Sequence, residues 1–74
     1  MEEYETLSDS EKATAIRSKI KNLQYQRYSI ELELISENAV PNPSSGQVSE
    51  FTQQIQNIDL RQAALESELA KLNV

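Results

Sequence analysis

The stretch Val40-Pro41-Asn42-Pro43-Ser44-Ser45-Gly46 decides the fold, because it gathers both prolines and the single glycine of a 74-residue chain. Proline removes a backbone donor, fixes its own φ and disfavours the helical conformation of the residue before it. Two prolines separated by one residue therefore stop a helix arriving from the N-terminal side, and the Ser-Ser-Gly tail reads as a turn. On either side of this stretch, apolar residues recur with helical spacing and no breaker intervenes. The expectation is an all-α protein in a single domain, 1–74. It divides into an acidic N-terminal segment (1–7), helix 1 (8–38), a Pro/Ser/Gly loop (39–47) and helix 2 (48–73).

Working back from the loop, helix 1 has a defined start. Ser8 followed by Glu11 fits a capping box, in which each side chain satisfies an exposed amide of the other residue. Leu7 stands where a hydrophobic staple would reach Ala13 or the stem of Lys12. Asp9 and Glu11 suit the positive end of the helix dipole, and Asn38 is a residue type that tolerates a left-handed C-terminal turn. Beyond the loop, Ser44 with Gln47 offers a second capping box, with Ser49 as the alternative cap.

Within helix 1 the positions Ala13, Ile16, Ile20, Leu23, Arg27, Ile30, Leu34 and Glu37 alternate steps of three and four. Helix 2 repeats the rule at Val48, Phe51, Ile55, Ile58, Gln62, Leu65, Leu69 and Leu72. Each is a heptad seam with one polar interruption. Folding the two seams together pairs positions whose numbers sum to 85: Leu34 faces Phe51, Ile30 faces Ile55 and Ile16 faces Leu69. The polar intruders Arg27 and Gln62 fall in adjacent layers, where Arg27 reaches Gln62 or Asp59 diagonally. The reading is an antiparallel two-helix hairpin with coiled-coil-like packing.

A lone hairpin of this size has a thin core. Chains of about 60–75 residues commonly need a disulfide, a metal or a partner to become stable. Tyr25, Tyr28, Leu32 and Ile35 form a second apolar stripe with the same spacing, on the side of helix 1 away from the seam. Those four residues are the expected oligomer or partner interface. The simplest assembly is a four-helix bundle or higher oligomer, with the chain itself, another protein, or both as partner.

Composition removes several function classes. Without cysteine or histidine there is no disulfide framework, no thiolate metal site and no Ser-His or Cys-His pair. One glycine cannot make a phosphate-cradling loop. No catalytic residue, metal site or cofactor is therefore assigned, and the protein is read as non-enzymatic. Twelve acidic residues against seven basic ones, a formal charge of −5, oppose binding of a nucleic-acid polymer, which needs cations for its phosphates. The acids are scattered, without the ladder that mimicry of nucleic acid would require. The start Met1-Glu2-Glu3-Tyr4-Glu5 reverses the basic start and apolar run of a signal peptide. No run approaches the length of a membrane span, so the expected location is cytoplasmic, in a bacterium or a host cell.

One charge pattern points to a ligand. Between Lys12 and Ile30 there are five basic residues and no acid. Arg17, Lys21, Tyr25 and Tyr28 lie along one face, with Arg27 nearby, so cations neighbour aromatic rings. Such a face suits a small anionic, stackable ligand such as a nucleotide. The competing structural reading pairs these cations with Glu66, Glu68 and Asp59 across the hairpin, and makes Arg27 a register-fixing polar seam residue.

The layout resembles helical-hairpin proteins that form four-helix bundles, including the plasmid RNA-binding hairpin family, although the acidic balance departs from an RNA binder. The length resembles the small hairpin phosphatases of sporulating bacteria. Their Ser-x-Glu-Leu-Asp signature is not met by Ser49-Glu50-Phe51-Thr52-Gln53, so that activity is not carried over. Tyr4-x-x-Leu7-Ser8-x-x-Glu11, leading into a basic helix, resembles bacteriophage proteins that sequester cyclic nucleotide immune signals. That similarity covers only the first residues of the chain. It implies a phage-type immune-evasion or regulatory binder holding its ligand at an oligomer interface.

Overall fold

The computed structural model describes residues 6–74 and contains two helices, α1 (Asp9–Asn38) and α2 (Ser45–Ala70), packed against each other. The acidic segment expected at 1–7 lies mostly outside the described residues. The molecule extends 60 × 20 × 15 Å with a radius of gyration of 17.3 Å. A compact domain of this length would have a radius of gyration of about 11 Å. The excess is that of a two-helix rod with a single contact seam.

α1 begins as its sequence dictates. Ser8 is the N-cap, its Oγ accepting from Glu11 N–H at 3.0 Å while Glu11 Oε1 accepts from Ser8 N–H at 2.8 Å. The bond donated by the Ser8 backbone, with the Ser8 hydroxyl as a smaller cause, holds the Glu11 carboxyl below its ordinary value. Leu7, the expected staple, stays half exposed at 50%. The helix closes differently from the expectation. Asn38 does not enter the left-handed region; Ala39 follows in right-handed geometry (φ −79°, ψ −18°) and its N–H bonds Ser36 O at 3.2 Å. The last turn thus tightens to an i→i−3 bond instead of reversing hand.

α2 starts at Ser45, three residues before the expected 48, and ends at Ala70 rather than 73. The reason lies at Ser44. Its Oγ accepts from Gln47 N–H at 3.3 Å, and its own N–H donates to Glu37 Oε2 at 2.8 Å. Glu37 from the last turn of α1 thus supplies the reciprocal half of the cap, and it sets a carboxylate at the positive end of α2. Gly46 sits inside the first turn of α2 without a positive φ, so it is a helix residue and not a turn residue. Ser49 lies within the helix and caps nothing.

The seam is where burial concentrates. All sixteen seam positions are buried or half-buried, and among the other described residues only Asp9 and Glu31 are as covered. Among the described residues Ala13 and Ile58 alone are buried, at 0% and 4% exposure. Two long-range contacts fix the alignment of the helices. Arg27 bonds Asp59 near mid-length, and Asp9 Oδ2 accepts from Asn73 N–H at 2.8 Å at the open end. Their numbers sum to 86 and 82, close to the pairing constant read from the seams. Among the described residues no side-chain polar atom is buried without a partner.

Candidate interaction surface

The surface opposite the seam on α1 is apolar and open. Tyr25 is 67% exposed, Tyr28 60%, Leu32 47% and Ile35 64%. Their helical spacing stacks them on one side of α1 over about three turns, about 140° around the helix from the seam. Isolated exposed apolar residues are ordinary on a protein surface, whereas a contiguous apolar strip marks an interaction site.

At the N-terminal end of this strip, Lys21 places its Nζ 5.8 Å from the centroid of the Tyr25 ring, within range of cation–π attraction. Lys21, Gln24, Tyr25 and Tyr28 line an open depression of about 220 Å³. The structure thus brings together three of the five residues expected to hold an anion. Arg17 lies one turn further toward the N-terminus on the same face. Among the described residues neither Arg17 nor Lys21 makes an ion pair.

Arg27 is placed differently. Its side chain crosses to α2, where Nε and Nη2 donate to Asp59 Oδ1 and Oδ2 at 2.8 and 3.2 Å, and Nη1 donates to Glu31. The bond to Asp59 raises the Arg27 pKa and holds the Asp59 carboxyl below its ordinary value. With two carboxylates around one guanidinium, the local field opposes a further anion. The pairing expected of the other cations is sparse. Glu68 accepts at 2.7 Å from Lys71, the residue that caps the end of α2, which raises the lysine's pKa, and Glu66 accepts from Gln62 at 3.1 Å.

A groove along one flank of the seam had no counterpart in the sequence reading. Leu23, Ala64 and Leu65 form its floor, Lys19 and Arg61 its charged edges, and Asn22 and Gln26 its polar lining, around about 510 Å³. Its apolar floor is the edge of the half-buried seam. Leu60, 70% exposed on α2, was also missed. It is a single leucine off the heptad, and one residue generates no periodic signal.

Compared with family models, curated proteins and solved structures, the chain matches none. The functional reading therefore rests on this surface. Among the described residues no group of three or more side chains has the make-up of a metal site, and no helix is long and apolar enough to cross a membrane.

Proposed function

We infer that the protein is a non-enzymatic interaction module that self-associates through the outer face of α1. The observation that carries this reading is the exposed strip Tyr25-Tyr28-Leu32-Ile35 on a hairpin in which, among the described residues, only Ala13 and Ile58 are buried. Two helices sharing one seam leave most apolar side chains half in water, and covering the strip with another chain adds the burial that one seam lacks. Leu32→Asp with Ile35→Asp tests it. The double variant is expected to sediment as a monomer while keeping its helical circular dichroism. Loss of helicity at every concentration would assign those residues to the core and overturn the reading.

A second reading has its own support, the Lys21–Tyr25 contact and the depression that it shares with Gln24 and Tyr28. In it the protein is a regulatory binder in the cytosol that sequesters an anionic, nucleotide-like ligand between copies of the chain. Arg17, Lys21, Tyr25 and Tyr28 carry this reading, and Arg27, held by Asp59 and Glu31, serves it least. Titration calorimetry with cyclic and linear nucleotides is the test. Salt-sensitive binding abolished by Arg17→Ala, with the oligomer intact, supports the reading, and no heat with any of them removes it.

A further inference from the structure

The outer strip of α1 has a symmetry of its own that bears on what covers it. Tyr25, Tyr28, Leu32 and Ile35 are spaced three, four and three, a pattern unchanged when its direction is reversed. A two-fold axis at the level of residue 30 sets Tyr25 against the partner's Ile35 and Tyr28 against the partner's Leu32. Both ends of the strip are then covered by the same two contacts, as an isologous interface requires.

Resting on the self-association reading, we propose that a second copy of this chain occupies the strip with the two α1 helices antiparallel. Their closest approach lies at the level of residue 30, between Tyr28 and Leu32. The charges along α1 select this direction. Its last turn contains no basic residue and carries Glu37, so the negative end of the helix dipole has no counter-charge within that turn. Lys21 lies one turn before Tyr25, which the antiparallel alignment brings level with the partner's Ala39, at that negative end. Each copy thus delivers one lysine to the other's helix terminus, from a position where its Nζ stands 5.8 Å from the centroid of the Tyr25 ring, on the strip itself. A parallel pairing would instead set the two negative helix ends together and Lys21 beside its own copy. Glu31 flanks the axis and approaches the partner's Glu31, but each is already held by Arg27 of its own chain.

The area is consistent with a reversible dimer. Four side chains at these exposures offer on the order of 500 Å² per chain, so the pair buries about 1,000 Å², the lower end for a specific interface. Association is therefore expected to depend on concentration.

The chain has no cysteine, so Ser18→Cys, Ser29→Cys and Ser36→Cys each accept one spin label at an exposed position of α1. At a rise of 1.5 Å per residue, the antiparallel dimer separates the labels along the axis by about 35 Å at position 18 and about 20 Å at position 36. At position 29 the labels are close enough to broaden the spectrum. Lys21→Glu is expected to raise the dimer dissociation constant about tenfold with helicity unchanged, since two helix-end contacts are lost. A short, equal distance at all three positions means parallel helices and overturns the proposal, as does a dimer whose distances ignore residue 30. Either result leaves self-association standing. A monomer by native mass spectrometry of the unlabelled chain removes self-association itself.

Discussion

Arg27 was legible as a polar interruption of the seam, with Asp59 or Gln62 as its reach. The structure gives it Asp59, and also Glu31 one turn along the same helix. The second partner follows from the i, i+4 spacing within α1 and not from the seam, so the heptad pattern does not reveal it. Asp59 has a folded pKa below its unfolded value of about 3.8. Its contribution is therefore present above that value and lost as pH falls through the lower, folded one. Asp59→Asn is expected to lower the melting temperature at pH 7, with the difference from wild type shrinking below about pH 4. A difference that persists unchanged to pH 2 would mean that the ion pair is not its source. Ser8→Ala removes the acceptor of the N-terminal cap and is expected to cost about 1 kcal/mol, read as a lower melting temperature.

At the level of elements, the two seams were readable because burial follows the three-four spacing, including its polar members Arg27, Gln62 and Glu37. The loop was less readable. Pro41 and Pro43 do end α1, but proline is well tolerated just before a helix, and the chain turns helical again directly after Pro43 and the capping Ser44. Gly46 is the informative residue. Taken as part of the turn, it would need its conformational freedom; in the structure its φ is negative, and an added Cβ would meet only Ser44 Oγ, at 3.9 Å. Gly46→Ala is therefore expected to stabilise the protein by roughly 0.4–1 kcal/mol, through a less flexible unfolded chain. A destabilising result would return Gly46 to the turn. Ile58→Ala, at the buried centre of α2, is expected to cost about 2–5 kcal/mol, visible as a large shift in denaturant midpoint. The same truncation at the half-exposed Leu32 should leave the fold almost unchanged.

For the molecule as a whole, the hairpin and the second stripe follow from periodicity, but the groove around Lys19 and Arg61 does not. It is lined by residues flanking two seams on different helices, and only their juxtaposition in space makes it a feature. The same limit applies to function. A face of cations and tyrosines has one physical description whether it meets a second chain or a nucleotide, so the direct observable is what adheres to it. The measurement to make is native mass spectrometry of the untagged protein across a concentration series, beside the Leu32→Asp/Ile35→Asp variant. If α1 self-associates, wild-type masses stand at a multiple of the 8.4 kDa chain and rise in population with concentration, while the variant stays at one chain. Wild-type protein that remains at one chain throughout would contradict self-association.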